Sequence, residues 1–185
     1  MKELSLNILD IVENSVKAGA ALTEILLTEA GNRLTLVIRD DGCGMDEDTA
    51  RSVTDPFYTT RTTRKVGMGV PLLKLAAEQT GGSFTVTSVP QSENAATHGT
   101  TVTAEFFTDH LDFTPLGDVV ATLTTLVQGH PDTDFYFRHE MPNGTVELDT
   151  REIRAVLEGV PLDSYEVIKW MESDLKTEYD ELRQI

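Results

Sequence analysis

The segment "DIVENSVKAGA" at residues 10–20 places three polar side chains of different chemistry on one stripe of a predicted helix. Asp10, Asn14 and Lys17 are separated by steps of four and three, so they share one helical face. Apolar residues around them recur at the spacing of a buried stripe: Leu6, Leu9, Val12 and Val16. The polar stripe is consistent either with a solvated face or with a site for magnesium and phosphate.

The composition describes a chain with a core and an acidic surface. Of its 185 residues 39% are hydrophobic, and the formal net charge is −16. Residues 108–185 carry 17 acidic and 6 basic side chains, against 14 and 9 in residues 1–107. Such a surface repels nucleic acid and anionic membranes, so we expect neither as a partner. We expect a basic protein partner, bound through the acidic C-terminal part.

Cysteine usage and hydropathy bear on location. The single cysteine, Cys43, rules out an internal disulfide bond. We expect no signal peptide, because the N-terminus already predicts an amphipathic helix with acidic residues. No apolar run approaches the roughly 18 residues that span a bilayer. We therefore expect a cytoplasmic protein without a membrane segment, and the sequence leaves open whether it is a monomer or a dimer.

The order of predicted elements describes an α/β sandwich in residues 1–107. Residues 3–18 predict a helix that ends at Gly19, and two strands follow around a Gly31-Asn32 turn with hairpin chemistry. Two further helices and two alternating strands complete this part. The expected fold is a two-layer α/β (α+β) sandwich whose sheet is mixed and mainly antiparallel.

The character of the chain changes after residue 107. A helix, a hairpin around Asn143-Gly144 and two more helices are predicted there. We expect residues 108–185 to form a separate, small α+β lobe, because its size is a little above that at which small units fold alone.

Two glycine-containing turns stand out in the first part. The sequence "DDGCG" at residues 40–44 has the form D-x-G-x-G and directly follows the apolar strand "LTLVIRD". Its carboxylate can accept hydrogen bonds, and its glycines let the backbone approach a flat ligand closely; a plain acidic turn is the alternative. Gly67 and Gly69 open a helix after a basic loop, as in anion-binding helix N-termini. Neither a Walker P-loop nor a dinucleotide-binding fingerprint occurs.

Taken in order, these elements resemble the motifs of the GHKL ATPase superfamily, which contains gyrase, heat-shock-90-type chaperones, histidine kinases and MutL. The segment "DIVENSVKAGA" resembles the N box and "DDGCGM" the first glycine box. "DPFYTTR" resembles the F box of histidine kinases, and "GMGVPLLK" their second glycine box. "GGSFTVTS" and "HGTTVTAEF" resemble the closing strands. The resemblance covers about residues 1–107 and implies a Bergerat-type ATP-binding domain there.

The resemblance implies ATP and Mg²⁺ as ligands and assigns roles residue by residue. Asn14 matches the asparagine that holds Mg²⁺ together with the ATP phosphates, and Lys17 matches a phosphate-contacting lysine. Asp40 matches the aspartate that accepts the adenine amino group, and Thr101 matches the threonine near adenine. The other implied nucleotide-binding residues belong to the glycine boxes, the F box and the lid: Gly42, Gly44, Met45, Phe57, Arg61, Lys65, Gly67, Met68, Gly69 and Val70.

Two features depart from the family pattern. Asp10 stands where ATP-hydrolysing members usually carry glutamate, the general base, and histidine kinases carry asparagine. It is a candidate base with a shorter reach, and a place in the Mg²⁺ shell is the rival role. The segment "HLDFTPL" at residues 110–116 mimics the kinase H box but follows the ATP-binding part. We interpret it as a connector that docks the C-terminal part, and not as a site where His110 is phosphorylated.

Three functions remain open from the sequence. The chain could be a histidine-kinase-like enzyme that phosphorylates a partner protein, as Lys17 and the F box suggest. It could be a slow ATPase, as Asp10 and the MutL-like N box suggest. It could also be a non-catalytic nucleotide-sensing module that acts through its acidic C-terminal part.

Overall fold

The computed structural model describes residues 3–55 and 68–183, and these residues contain six strands and six helices. The strands are β1 (Leu22–Ala30), β2 (Arg33–Asp40), β3 (Ser83–Val89), β4 (Gly99–Phe107), β5 (Asp134–Met141) and β6 (Gly144–Asp149). The helices are α1 (Leu4–Lys17), α2 (Glu47–Ser52), α3 (Gly69–Gln79), α4 (Val119–Gly129), α5 (Thr150–Val156) and α6 (Tyr165–Arg183). None of these helices is long and apolar enough to cross a membrane.

The six strands form one sheet in the order β3-β4-β2-β1-β5-β6. Strands β1 and β5 are parallel, and the other four neighbouring pairs are antiparallel. The prediction of a mixed, mainly antiparallel sheet is therefore confirmed.

Helices cover one face of this sheet, and the alternation of side chains shows which face it is. In β2, Leu34, Leu36 and Ile38 are buried, whereas Thr35 and Val37 between them are only partly covered. Because successive side chains point to opposite faces of a strand, the apolar set of β2 belongs to the helix-covered face. The result is a two-layer structure with its core between the sheet and the helices.

The buried face of α1 contains most of the predicted stripe. Val12 is buried, and Leu9 and Val16 are partly buried and pack against the core, whereas Leu6 is 43% exposed. The centre of the buried face is formed by Leu4, Ile8, Ile11 and Ser15, which recur every three or four residues. The buried face is wider than predicted because α1 contacts α3 and α4 as well as β1 and β2.

Residues 108–183 do not build a core of their own, in contrast to the predicted separate lobe. Strand β5 pairs with the free edge of β1 along seven residues, from Leu22 opposite Asp134 to Thr28 opposite Glu140. The buried side chains of α4, β5, β6 and α6 belong to the same hydrophobic cluster as those of α1 and β1. Without β5, the edge of β1 would leave backbone hydrogen-bonding groups unpaired, so the second part completes the sheet of the first.

The connector between the two parts caps helix α1. The backbone N–H groups of Leu4 and Ser5 donate to the carbonyl groups of Pro115 and Leu116, at 2.9 and 2.8 Å. Unpaired N–H groups at a helix N-terminus need such acceptors. His110 lies at the exposed start of this connector.

A buried histidine joins β5 to α6 and to the end of β1. His139 is 2% exposed; its Nε2 lies 3.0 Å from Glu29 Oε1 and its Nδ1 lies 2.9 Å from the Tyr179 hydroxyl. Since a carboxylate only accepts, Nε2 donates to Glu29 and Nδ1 accepts from Tyr179. Burial lowers the pKa of His139, and the nearby Glu29 carboxylate opposes that shift. Burial also raises the pKa of the Tyr179 hydroxyl.

We predict that His139 makes the fold sensitive to acid. The unfolded chain has an ordinary histidine pKa of about 6.5, so below that pH it binds the proton that the folded chain resists. The contribution of neutral His139 to the free energy of unfolding is complete above pH 6.5. It is lost as the pH falls through that value toward the lowered pKa of the folded state. His139→Gln should flatten the dependence of unfolding free energy on pH in this window, measured by urea denaturation. The matched control is His110→Gln at an exposed site, and an equal flattening in both variants would contradict the assignment.

Candidate functional site

Three hydrogen-bond donors hold the Asp40 carboxylate at the end of β2. Oδ1 accepts from the backbone N–H of Gly42 at 3.0 Å and from that of Thr100 at 3.2 Å. Oδ2 accepts from the buried Ser15 hydroxyl of α1 at 2.7 Å. Charge-assisted bonds of this kind fix the plane of a carboxylate. Asp40 is therefore presented in one orientation and keeps lone pairs for a further donor.

The D-x-G-x-G turn lies tightly between α1 and the β3–β4 connection. The Cys43 N–H donates to Ala18 O, and the Cys43 carbonyl accepts from Gln91 N–H, each at 2.9 Å. Gly44 has φ +66°, and a Cβ there would lie 2.0 Å from the Val89 carbonyl oxygen. Gly44 is thus required by close packing against the chain's own backbone, and the predicted approach of a flat ligand stays a prediction.

We predict that Gly44→Ala destabilises the fold by at least about 2 kcal/mol. The left-handed backbone costs an alanine about 1–2 kcal/mol, and relieving the clash with Val89 adds about 1–3 kcal/mol. Gly31→Ala is the matched control, because Gly31 also has a positive φ, of +60°, but has nothing within 4 Å of its Cβ position. Urea denaturation of both variants measures the difference. Equal losses would mean that the packing around Gly44 relaxes freely.

Helix α1 carries the predicted polar stripe on its exposed face. Asp10, Asn14 and Lys17 are all exposed, and Asp10 lies against the first residue of α3. A Cβ on Gly69 would come within 2.8 Å of the Asp10 Cβ and 3.6 Å of its Oδ2. The Asp10 carboxylate therefore lies beside the N-terminus of α3, where free N–H groups and the helix dipole favour negative charge. Met68, the N-cap residue of α3, makes no side-chain capping bond.

The charged end of the stripe is engaged with neighbouring side chains. Lys17 Nζ lies 3.9 Å from Glu13 Oε2, and Glu13 Oε1 lies 2.7 Å from Nε2 of His130, which follows α4. Lys17 is 58% exposed, so this ion pair contributes little to stability. Within residues 3–55 and 68–183, the side-chain amide of Asn14 has no hydrogen-bond partner.

The threonine beside Asp40 is Thr100 and not Thr101, which corrects the prediction. Thr100 lies opposite Asp40 in the β2–β4 ladder, whereas Thr101 lies opposite Arg39. Because side chains alternate along a strand, Thr101 points to the face away from the helices. The Thr100 hydroxyl lies 2.8 Å from the Ser88 hydroxyl, and Ser88 accepts from the Met45 N–H at 2.8 Å.

The other predicted residues divide into two groups. The structure brings together Asp40, Gly42, Gly44 and Met45 in one turn, and places Met68, Gly69 and Val70 at the start of α3. Phe57, Arg61, Lys65 and Gly67 lie outside the described residues. Ser15 was not predicted as a site residue. It follows Ile11 by four residues and Val12 by three on the buried side of α1, a spacing that indicates a contact with the sheet.

A protein-family model matches the segment that contains this site. It describes the histidine kinase-, DNA gyrase B- and HSP90-like ATPases, and it matches residues 2–110. The chain belongs to this family. The resemblance to GHKL ATPases carried by the ordered motifs is therefore confirmed.

Two curated proteins match parts of this GHKL-family chain. A DNA mismatch repair protein MutL of Chlorobaculum parvum is 38% identical over 52 residues, which is 28% of this chain and 8% of that protein. A protein of Shewanella frigidimarina that is named as a sensor protein is 35% identical over 57 residues, 29% of this chain and 9% of that protein. The matches span less than a tenth of either relative, so the relatives' full activities do not follow for this chain.

Solved structures extend the likeness of fold. The ATPase domain of Aquifex aeolicus MutL, complexed with ADP, has a TM-score of 0.55 at 14% identity and covers 85% of this chain and 70% of that one. The N-terminal domain of a DNA repair protein also has a TM-score of 0.55, at 17% identity, covering 80% of this chain and 52% of that one. At these identities the comparison shows the fold alone.

Proposed function

We propose that this GHKL-family protein binds Mg-ATP between its two glycine boxes and hydrolyses it slowly at Asp10. The observation that carries the proposal is that α1 contacts both boxes. Its buried Ser15 holds Asp40 of the first box, and its Asp10 lies against Gly69 of the second. Asn14 is between these two contacts on the same helix. A single helix therefore connects a base-recognising carboxylate to an anion-binding helix N-terminus.

The residues of the first box fit an adenine ring. The Asp40 carboxylate is held by Ser15, Gly42 and Thr100 and can accept a hydrogen bond from an exocyclic amino group. Gly42 and Gly44 leave no room for side chains, because Cβ atoms there would lie 2.9 Å from Ala18 and 2.0 Å from Val89. This close packing fixes the turn, and with it the Asp40 carboxylate that faces the base in the proposed complex.

The residues of α1 and α3 fit a magnesium-bound triphosphate. Among the described residues no three or more His, Cys, Asp or Glu side chains form a metal-binding group, and in the proposed complex phosphate oxygens and water complete the Mg²⁺ shell. The exposed amide oxygen of Asn14 is a hard, neutral ligand of the type that Mg²⁺ accepts. Bound Mg²⁺ would neutralise charge on the phosphate oxygens.

In the proposed reaction Asp10 accepts a proton from water. The water oxygen forms a bond to the γ-phosphorus as the bond to the ADP oxygen breaks, and the proton passes to the Asp10 carboxylate. The N-terminus of α3 stabilises the charge on the phosphates. Aspartate has a shorter reach than the glutamate usual at this place, so we expect slow turnover.

Phosphoryl transfer to a partner protein is the alternative, and Lys17 is the residue that supports it. In this case a nucleophile of the partner would take the place of water. The acidic segment at residues 108–185, with its net charge of −11, is the surface we propose for a basic partner. A nucleotide-sensing module without catalysis would use the same surface, since the connector and His130 both contact α1.

Incubation of the chain with γ-labelled ATP separates these functions. We expect labelled free phosphate at a slow, steady rate and no label on the chain itself. Label on an added candidate partner, with little free phosphate, would favour transfer. Binding of ATP without either product would leave the nucleotide-sensing function.

We predict that Asn14→Ala weakens Mg-ATP binding much more than binding of metal-free adenosine. The substitution removes the proposed Mg²⁺ ligand but leaves Asp40 and its three donors in place. Titration calorimetry with both ligands measures the two losses, and Asn143→Ala, at an exposed position in the β5–β6 turn, is the matched control. Equal losses for Mg-ATP and adenosine would mean that Asn14 has only a structural role.

A further inference from the structure

His98, at the end of the β3–β4 connection, contacts the first glycine box. Its Nδ1 lies 2.6 Å from the Gly42 carbonyl oxygen, at a partly buried position. A carbonyl oxygen only accepts, so Nδ1 carries the hydrogen and donates. The bond joins residues that are 56 positions apart in the sequence.

His98 and Asp40 both form hydrogen bonds with Gly42, one with its carbonyl group and the other with its N–H group. The Gly42 N–H donates to Asp40 Oδ1 at 3.0 Å, and the Gly42 carbonyl accepts from His98. Without the imidazole, the following peptide unit could rotate and the turn could relax. The orientation of Asp40 depends on that turn, because Gly42 supplies one of its three donors.

The start of β4 explains how His98 reaches the turn. Gly99 has φ +129°, and a Cβ there would lie 1.9 Å from the Asp40 carbonyl oxygen. The close approach brings the segment 98–100 against the end of β2. Both ends of the segment 98–100 then contact the D-x-G-x-G turn, since the Thr100 N–H donates to Asp40 and His98 donates to Gly42.

The loop before His98 is folded rather than extended. Asn94 Oδ1 accepts from the N–H groups of Ala96 and Thr97, at 3.0 and 3.2 Å. The Gln91 N–H at the other end of the loop donates to the Cys43 carbonyl at 2.9 Å. The loop therefore contacts two consecutive carbonyl groups of the glycine box, and His98 provides the side-chain contact.

We propose that His98 is a positioning residue for recognition of the nucleotide base. Its Nδ1–H fixes the Gly42 carbonyl and so the turn that orients Asp40 toward an exocyclic amino group. The inference rests on the proposed binding of ATP at Asp40. If His98 has this role, selectivity for a base with an exocyclic amino group, and not only stability, depends on a residue outside the first glycine box.

The test compares two nucleotides in variants that keep or remove the donor. His98→Asn places an amide N–H close to the position of Nδ1, whereas His98→Leu has no donor. The ligands are Mg-ATP and the magnesium complex of purine riboside triphosphate, which lacks the amino group. We expect His98→Leu to reduce the preference for ATP by about three- to tenfold, the effect of one hydrogen bond, and His98→Asn to retain it within about twofold.

Each outcome has a defined meaning. If the parent chain binds neither nucleotide, the proposed function and this inference both fail. If the parent chain prefers ATP but His98→Leu loses affinity equally for both nucleotides, or loses none, His98 does not position the base site. If His98→Leu does not fold, His98→Gln replaces it as the test variant, because its amide lies one bond further from the backbone. We expect His98→Gln to prefer ATP less strongly than His98→Asn does. An Asn and a Gln variant with equal preference would overturn the inference.

Discussion

Asp40→Asn is expected to lower the affinity for Mg-ATP by about tenfold or more. The two backbone donors, from Gly42 and Thr100, can still be accepted by the amide oxygen. The amide NH₂ then takes the place of Oδ2, where the Ser15 hydroxyl can rotate to accept from it. The variant should therefore fold, but it presents a donor where adenine also has a donor. A mispaired buried contact of this type costs about 1–3 kcal/mol.

The neighbouring carboxylate provides the control for this prediction. Asp41 Oδ1 accepts from the N–H groups of Ala21 and Leu22, at 2.8 and 2.9 Å, and so holds the start of β1. Asp41→Asn keeps an oxygen for both bonds and should bind Mg-ATP like the parent. Titration calorimetry of both variants decides the matter. An Asp40→Asn variant that binds as tightly as the parent would show that adenine is recognised elsewhere.

Asp10→Asn is expected to lower the rate of phosphate release by about 10²–10⁴-fold while ATP binding is retained. Asparagine cannot accept the proton of the attacking water. Its size and polarity match aspartate, so the contact with Gly69 is preserved. Asp10→Glu should restore the reach of a longer carboxylate and could raise the rate above that of the parent. A steady-state assay of free phosphate, with binding measured in parallel, tests both variants.

The same variant separates the enzyme classes. If a partner supplies the nucleophile, Asp10→Asn should spare transfer of label to that partner while it removes hydrolysis. Phosphate release that is unaffected by Asp10→Asn would contradict the role of Asp10 as the base. A parent chain that binds ATP but releases no phosphate and labels no partner would contradict both catalytic functions. The acidic segment at residues 108–185 would then be the surface that reports the nucleotide state.

Local sequence patterns were sufficient to predict the helices and strands and the position of the Asp40 carboxylate at the end of β2. Strands β2 and β4 alternate apolar and polar residues, and one of their faces is buried. The pairing register of such strands can be predicted from the sequence, because a shift by one residue would expose all the apolar side chains. Asp40 could be found for the same reason, since it ends a strand and precedes two glycines. The motif resemblance suggested Thr101, whereas the strand pairing places Thr100 opposite Asp40.

Long-range contacts were not accessible from the local pattern. The sequence of β5 fits an isolated hairpin as well as a strand beside β1, and only the free edge of β1 distinguishes the two. The bonds from Ser15 to Asp40 and from His98 to Gly42 join residues 25 and 56 positions apart. A serine on a buried helical face and a histidine before a strand carry no pattern of their own. Their partners are set by packing of the complete sheet.

Titration calorimetry of the 185-residue chain with Mg-ATP, and separately with Mg-GTP, measures whether Asp40 selects adenine. We expect one saturable site for ATP and binding of GTP that is weaker by about tenfold or more, because the guanine carbonyl oxygen would face the Asp40 carboxylate. No binding of either nucleotide, or equal affinity for both, would contradict an adenine site at Asp40.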